Sequence, residues 1–245
     1  MKAVLLGATK GMGRALARLL AERGDRLFLL GRVTGDLALS AADLEIHGAV
    51  APVKFAHCDL LQPETFAPAL DQAQRELQDF DTVIVTAGLF ATQEILEADP
   101  AFAAKLLAAD FTNTVLFCEE ARKRLLAAGG GTLCAFSSVA GERGRKPVVL
   151  YGAAKAGLSC YLEGLDHKFR RLGLTTVCVK PGFVATGMTA GLKPPPFAGT
   201  PDAAAKRVLK AIDRGWPEVY VPGAWRHVMH VVRSLPRWVM RRVEF

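Results

Sequence analysis

Short and almost wholly apolar runs recur along the chain, and stretches with helical spacing of apolar residues separate them. Such runs are typical of parallel strands, which need crossover connections and are covered by helices on both faces. The alternation therefore predicts an α/β fold built on one doubly wound parallel sheet of about seven strands. The predicted strands are Lys2–Leu6, Arg26–Leu30, Val53–Cys58, Asp81–Ala87, Thr132–Ser137, Thr175–Lys180 and Glu218–Val221.

Capping residues mark several helices between these runs. Asp99 with Pro100, and Thr200 with Pro201, form the N-cap and first-turn pairs that favour helix starts. Glycines follow the last turns, where a left-handed residue ends a helix at little cost. The predicted helices cover residues 100–128, 151–172 and 201–214.

Length and composition favour one domain. The chain has 245 residues and is 51% hydrophobic, which suffices for a single well-buried core. We expect this one α/β domain over residues 1–223, with residues 224–245 as a basic amphipathic extension of it. The net charge of +7 favours anionic partners, such as phosphates or an acidic membrane face, and we expect no nucleic acid among them. Scattered cysteines indicate reduced, buried thiols, and no run is long enough to cross a bilayer, so we expect a cytoplasmic protein.

A glycine cluster, G-A-T-K-G-M-G, lies directly after the first predicted strand and opens a helix. Gly7, Gly11 and Gly13 allow a tight turn and the close approach of a pyrophosphate to backbone N–H groups. Glycines alone are a weak signal, because ordinary strand-to-helix turns use them too. Their place after the first strand favours a Rossmann-type, dinucleotide-binding domain.

The end of the second strand distinguishes NAD from NADP. An acidic residue there binds the ribose 2′-hydroxyl of NAD and repels a 2′-phosphate. This chain has Gly31 and Arg32 instead, and a guanidinium can bind a phosphate through two hydrogen bonds. Lys10, in the glycine loop, should lie near the same phosphate. The two cations together predict NADP(H) as the cofactor.

The strongest signal combines a serine with a tyrosine–lysine pair. Ser138 follows the fifth predicted strand, and Tyr151 and Lys155 share one face of the next helix. A carbonyl that accepts a hydride must also take up a proton, and a free tyrosine, with a pKa of about 10, donates poorly near neutrality. A neighbouring ammonium should lower the pKa of Tyr151, so we assign Tyr151 as general acid/base and Lys155 as its modulator. Ser138 should hydrogen-bond the carbonyl oxygen.

These motifs resemble those of the short-chain dehydrogenase/reductase family, as does the segment P-G-F-V-A-T after the sixth strand. The resemblance implies that Lys155 also binds the nicotinamide ribose and that Asp59 contacts the adenine. It implies further that the P-G-F-V-A-T segment holds the nicotinamide amide. The expected cofactor-binding residues are Gly7, Thr9, Lys10, Gly11, Met12, Gly13, Arg32, Asp59, Leu60, Ala87, Gly88, Tyr151, Lys155, Pro181, Gly182, Val184 and Thr186.

Asp110 departs from the family pattern, which has asparagine at this position. The resemblance implies that this side chain helps to hold a water in the proton relay, so we count Asp110 among the catalytic residues. An aspartate lacks the amide donors and can carry a charge, which puts the relay in question. The departure keeps open a second class of protein, an NADP-sensing scaffold with weak or no turnover.

The segment from Ser138 onward resembles one branch of the family more closely, the decaprenylphosphoryl-2-keto-ribose reductases, through the loop G-E-R-G-R-K and the tail. This resemblance implies a polyprenyl-phosphate-linked keto-sugar as substrate. Soluble ketone and acyl carbonyl reductases share the same catalytic residues, so they remain alternatives. The loop cations Arg143, Arg145 and Lys146 should border the active-site mouth and hold an anionic group.

The tail alternates apolar residues, including two tryptophans, with five arginines, and Pro236 should divide it into two short helices. Such helices suit a membrane interface, or else they pack on the core or on a second subunit. The helix over residues 100–128 resembles the dimer-forming surface of the family, which implies a homo-oligomer. His227 and His230 are without an evident third ligand, so we expect no metal site.

Overall fold

The computed structural model describes residues 1–243 of the chain, and a single seven-stranded parallel sheet forms its centre. The strand order is β3-β2-β1-β4-β5-β6-β7, and every neighbouring pair is parallel. The predicted fold class, a doubly wound Rossmann-type domain, is therefore confirmed. The strands are β1 (Lys2–Leu6), β2 (Arg26–Gly31), β3 (Lys54–His57), β4 (Thr82–Val85), β5 (Gly131–Phe136), β6 (Leu174–Pro181) and β7 (Glu218–Val221).

The third and fourth strands are shorter than the apolar runs that predicted them. The backbone N–H groups of Thr86 and Ala87 both donate to the carbonyl oxygen of Leu6, at 2.9 and 3.1 Å. The regular ladder stops there because β1 has itself ended and Gly7 turns away with a φ of 101°. The apolar residues beyond the ladder belong to the loops that carry the site.

The predicted helix starts at Pro100 and Pro201 are confirmed, with Asp99 and Thr200 accepting capping hydrogen bonds. The helix expected over residues 100–128 contains a wider π-helical turn at Ala108–Thr112, which the sequence pattern did not predict. The helices are α1 (Gly11–Glu22), α2 (Thr34–Ile46), α3 (Phe66–Leu77), α4 (Gln93–Ala98), α5 (Pro100–Leu107), α6 (Asn113–Ala127), α7 (Val149–Phe169), α8 (Pro201–Arg214), α9 (Trp225–Ser234) and α10 (Arg237–Met240).

Helices cover both faces of the sheet, which explains why its strands are apolar throughout. On one face the core includes Leu16 of α1, Leu37 of α2 and Val208 of α8. On the other it includes Leu70 of α3 and Phe117 of α6, together with residues of α7. The segment from Pro100 to Ala127 is long and apolar enough to pass for a membrane span, but it is one of these core helices, interrupted by the π turn.

The C-terminal tail forms two helices separated at Pro236, as predicted. One face of α9 is buried: Trp225, Met229 and Val232 pack against Val139, which directly follows Ser138. The other face is exposed and carries the arginines. The tail is thus packed on the domain over α9, while Glu244 and Phe245 lie outside the described residues.

The cysteines are free thiols, but not all are buried as expected. Cys58, Cys118, Cys134 and Cys178 lie in the core, whereas Cys160 is exposed. The exception arises because Cys160 lies on the outward face of α7.

Candidate functional site

Two adjoining cavities open at the carboxyl ends of the strands, where β1 and β4 lie side by side and the strand order reverses. This reversal is where ligands bind in open parallel α/β sheets. The first cavity has a volume of about 200 Å³ and is called the cofactor cleft below. It brings together seven of the predicted cofactor-binding residues, namely Gly7, Thr9, Arg32, Asp59, Leu60, Ala87 and Gly88.

The glycine loop has the close packing that a bound pyrophosphate requires. A Cβ atom on Gly7 would lie 2.6 Å from the backbone nitrogen of Ala87, and one on Gly13 would lie 2.3 Å from the carbonyl oxygen of Gly7. Gly11 begins α1 with a φ of 54°, in the left-handed region that favours glycine. A dinucleotide therefore fits these residues: its phosphates would meet the N-terminus of α1 without side chains in between.

The two predicted phosphate-binding cations have different surroundings. Arg32 lines the cofactor cleft beside Gly31, with no acidic residue at the end of β2. Lys10 does not line it: its side chain is 85% exposed, and its Nζ lies 3.6 Å from Oδ2 of Asp36. Asp59 lies in the cleft, where its Oδ1 also accepts a hydrogen bond from the backbone of Leu61 at 2.9 Å.

The second cavity, of about 470 Å³, is called the reaction cavity, and all four predicted catalytic residues line it. Ser138 follows β5 and caps a short 3₁₀ turn, since its Oγ accepts from the backbone N–H of Ala140 at 3.1 Å. Tyr151 and Lys155 come from the first turns of α7, and both are buried. Met12, Gly88, Pro181, Gly182, Val184 and Thr186 of the predicted cofactor set also line this cavity.

Lys155 and Asp110 form a buried ion pair at the floor of the reaction cavity. The Nζ of Lys155 lies 3.3 Å from Oδ2 of Asp110, and the two side chains are 6% and 0% exposed. The Nζ also donates to the carbonyl oxygen of Phe136 at 3.2 Å, and Oδ1 of Asp110 accepts from the backbone N–H of Leu89 at 2.6 Å. The π turn that contains Asp110 places the carboxylate against both partners, while Oδ2 has no well-aligned hydrogen bond among the described residues.

The charges of the site shift its pKa values in a way that differs from the expectation for Tyr151. Burial raises the pKa of Tyr151; the Lys155 ammonium lowers it, but the negative charge of Asp110 raises it again, and the net direction is upward. Burial lowers the pKa of Lys155, but Asp110 and Tyr151 raise it, and this second influence is larger. Burial also raises the pKa of Asp110, against the opposing influence of Lys155. The lysine alone therefore does not lower the pKa of Tyr151 below its ordinary value, because burial and Asp110 outweigh it.

Comparison with known proteins identifies the family. A family model described as short chain dehydrogenase matches residues 1–196. The chain belongs to the short-chain dehydrogenase family.

Among its relatives, an uncharacterized oxidoreductase of Mycobacterium tuberculosis is 33% identical over 98% of this chain and 96% of its own. The cis-4-hydroxycyclohexanecarboxylate dehydrogenase of Sinomonas cyclohexanicum is 31% identical over 78% and 76% of the two chains. The structure of actinorhodin polyketide ketoreductase with NADPH superposes with a TM-score of 0.80 at 20% identity, over 89% of this chain and 94% of that one. This last likeness shows the fold.

Several wall residues of the reaction cavity in this short-chain dehydrogenase were not predicted as site residues. Phe90 meets the ring of Tyr151 edge-on, with centroids 5.1 Å apart. Trp225 packs so closely on Gly182 that a Cβ atom on Gly182 would lie 2.3 Å from Nε1 of Trp225. The same Nε1 donates to the carbonyl oxygen of Phe197 at 3.3 Å. Phe183, Met188 and Leu192, from the loop after Pro181, complete the wall beside the predicted residues of that loop. Phe90 and Phe183 lie close in sequence to the predicted residues Gly88 and Gly182, whereas Trp225 had no such signal.

Metal chemistry has no obvious centre in the described chain. Within residues 1–243, no three His, Cys, Asp or Glu side chains come together as a group that could hold a metal ion. His227 and His230, the pair singled out in the sequence, both lie on the exposed face of α9.

Proposed function

We propose that this short-chain dehydrogenase is an NADP(H)-dependent reductase that converts a carbonyl group to an alcohol. The observation that carries the proposal is the meeting of Ser138, Tyr151 and Lys155 in one cavity that adjoins the cofactor cleft. The family supports the oxidoreductase class, and the arrangement of the side chains supports the reaction.

The chain supplies a proton and orientation, and a bound nicotinamide supplies the hydride. Tyr151 donates its phenolic proton to the carbonyl oxygen as negative charge develops there. Because the pKa of Tyr151 is raised, the phenol stays protonated at neutral pH, which favours the reductive direction. Ser138 orients the carbonyl oxygen by a hydrogen bond, and the Lys155 ammonium stabilises negative charge on Tyr151 after the transfer.

NADP preference follows from the residues at the end of β2. Arg32 lines the cleft beside Gly31, and no carboxylate stands there to repel a 2′-phosphate. Lys10 could reach the 2′-phosphate with its long, exposed side chain only by breaking its ion pair with Asp36. Arg32 is therefore the principal phosphate contact in this proposal.

The walls of the reaction cavity favour an apolar substrate with an anionic group. Phe90, Val148, Phe183 and Trp225 surround the catalytic residues, and Arg145 adds a guanidinium. A polyprenyl-phosphate-linked keto-sugar, the substrate that the sequence resemblance implies, combines both features. A soluble ketone or acyl carbonyl compound is the alternative, which the apolar walls also suit.

The same substrate proposal includes a place in the cell. A lipid-linked substrate would be met at the cytoplasmic face of a membrane, and the outer face of α9 and α10 presents Val231 and Trp238, 59% and 60% exposed, among arginines. Trp with Arg on short amphipathic helices suits such an interface. The helix pair α5 and α6, with Leu116 exposed, is the proposed homo-oligomer surface.

A catalytically weak NADP-sensing scaffold is the second candidate, and the Asp110–Lys155 ion pair is the observation that favours it. An ammonium held by a buried carboxylate is less available to a nicotinamide ribose and to Tyr151. Such a scaffold would bind NADPH but would not use it to reduce any carbonyl substrate.

The deciding experiment compares Tyr151→Phe with Tyr161→Phe in NADPH oxidation across soluble ketones and polyprenyl-phosphate keto-sugars, with detergent present. Tyr161 lies on the same helix but outside the cavity, where its hydroxyl donates to Glu119 at 2.7 Å, so its variant is the matched control. We expect the Tyr151 variant to lose roughly a hundredfold or more in kcat while it retains NADPH binding. Full turnover by that variant contradicts the mechanism, and absence of turnover in the wild type on every substrate favours the scaffold.

A further inference from the structure

A cationic groove lies outside the two cavities of the proposed reductase, between the loop that follows Ser138 and the last helix. Four cations line it: Arg143 and Lys146 from the loop, and Arg237 and Arg241 from α10. Its volume is about 430 Å³, and its remaining lining residues are Gly144 and Met240. No acidic side chain of the described chain lines this groove.

The loop turns its one acidic residue inward. The side chain of Glu142 is 4% exposed, and its Oε1 accepts hydrogen bonds from Lys180 at 2.8 Å and from the hydroxyl of Tyr220 at 2.5 Å. Glu142 is therefore engaged in the interior and contributes little negative charge to the groove. The consequence is a loop whose outer surface is cationic.

Arg143 is held in place by the tail. Its guanidinium donates to the carbonyl oxygen of Leu235 at 2.6 Å, directly before the break at Pro236. This contact joins the loop to the start of α10, so that the cations of two distant segments face one groove. A guanidinium that is already positioned loses less side-chain entropy when it binds a ligand.

The two arginines of α10 project together and have no anionic partner within the described chain. Arg237 and Arg241 are one helical turn apart, and both are exposed. No carboxylate among residues 1–243 lies within ion-pair distance of either. Like charges brought together in this way repel each other unless an anion binds between them.

We infer that the groove of Arg143, Lys146, Arg237 and Arg241 binds a phosphate group. Guanidinium groups match the geometry of phosphate oxygens and bind them through paired, charge-assisted hydrogen bonds. This site goes beyond the proposed carbonyl reduction and is separate from the reaction cavity. A lipid headgroup and a soluble phosphorylated molecule present the same chemistry, so the experiment distinguishes these two sources.

The test uses the full-length protein and measures the binding of inorganic pyrophosphate by calorimetry at about 0.15 M salt. Arg237→Gln and Arg241→Gln are compared with Arg226→Gln, an exposed tail arginine outside the groove that removes the same charge. Gly13→Ala, which crowds the glycine loop at the N-terminus of α1, identifies any pyrophosphate bound in the cofactor cleft. We expect each groove variant to weaken the binding that Gly13→Ala leaves intact by about tenfold, and Arg226→Gln to change it less than about twofold.

Co-sedimentation with phosphatidylcholine vesicles, with and without phosphatidic acid, identifies the source of the phosphate. Vesicle binding that requires phosphatidic acid and falls in the same order of variants indicates a lipid headgroup. Pyrophosphate binding alone, with vesicles ignored, indicates a soluble ligand. The inference is overturned if the folded wild type binds neither probe, or if Arg226→Gln weakens binding as much as the groove variants do.

Failure of this inference is distinguishable from failure of the proposed function. NADPH oxidation with a neutral ketone depends on Tyr151 and not on the groove, so it should be unchanged in Arg237→Gln and Arg241→Gln. Thermal unfolding of each variant shows that the fold is intact, as expected for exposed residues.

Discussion

Replacing Asp110 tests the electrostatics of the site directly. At the 3.3 Å separation of Nζ and Oδ2, the attraction between Lys155 and Asp110 is of the order of 5 kcal/mol for an effective dielectric constant near 20. Burying the carboxylate costs several kcal/mol, so most of that attraction is offset. Asp110→Asn leaves the Lys155 ammonium without its anion, but an amide oxygen still accepts from Leu89, so we expect it to cost about 1–3 kcal/mol less in the free energy of unfolding than Asp110→Ala.

Asp110→Ala should cost the most, because it leaves the Lys155 ammonium without an anion, as Asp110→Asn does, and also leaves the Leu89 N–H without its acceptor. Removing one partner of a buried pair costs about 3–5 kcal/mol. In a domain of this size the loss corresponds to a fall in Tm of roughly 6–20 °C. The control is Asp71→Ala, which breaks a surface pair with Arg124 and should cost at most about 1 kcal/mol.

Urea unfolding of the four proteins, without added cofactor, provides the measurement. The stability of the wild type should also depend on pH in a defined direction. Because burial raises the pKa of Asp110 in the folded protein, its contribution to stability is present below about pH 4 and is lost as pH rises through the folded pKa. Lowering the pH should therefore raise the free energy of unfolding of the wild type relative to that of Asp110→Asn. An alanine variant as stable as the wild type would refute the reasoning, as would an asparagine variant as unstable as the alanine variant.

Three further outcomes are expected. Gly13→Ala should destabilise the protein by about 1–3 kcal/mol in urea unfolding and weaken NADPH binding, because its Cβ would lie 2.3 Å from a backbone oxygen; normal affinity would contradict this. Gly31→Asp with Arg32→Gln should shift the NADPH-to-NADH ratio of kcat/KM by roughly tenfold to a hundredfold, and an unchanged ratio would misplace the 2′-phosphate. Reduction should fail as pH rises through the pKa of Tyr151, because the phenolate has no proton to donate. The negative charge of Asp110 raises this pKa, so Asp110→Asn should move the alkaline limb of the pH–rate profile to lower pH. A limb that does not move would contradict the electrostatic coupling of Asp110 and Tyr151.

Local signals predicted the parts of the site that depend on local geometry. The glycine loop follows β1 because a turn at Gly7 needs a positive φ, and the capping pairs at Asp99 and Thr200 satisfy backbone groups within a few residues. Tyr151 and Lys155 share a helix face by their spacing alone. In each of these features, the residues that interact are also close in sequence.

Features set by packing between distant segments were not predictable in the same way. The π turn around Asp110 depends on contacts with Lys155 and Leu89, neither of which is near in sequence. The spacing of Tyr151 and Lys155 indicated a lowered tyrosine pKa, but the burial that reverses this direction arises only in the folded chain. Lys10 likewise pairs with Asp36 of α2, and α1 and β2 lie between the two in sequence.

The wall of the reaction cavity comes from two parts of the chain. The family model ends at residue 196, yet Trp225 of α9 closes the reaction cavity against Gly182. The segment that carries it also contributes β7, which pairs with β6, so it is part of the sheet domain and not an appendage. Two relatives could therefore perform identical hydride chemistry and differ in what they accept by exchanging this one C-terminal module. In this protein, part of the cavity wall that a substrate would meet therefore lies beyond the region that the family model matches, while Phe90 and Phe183 lie within it.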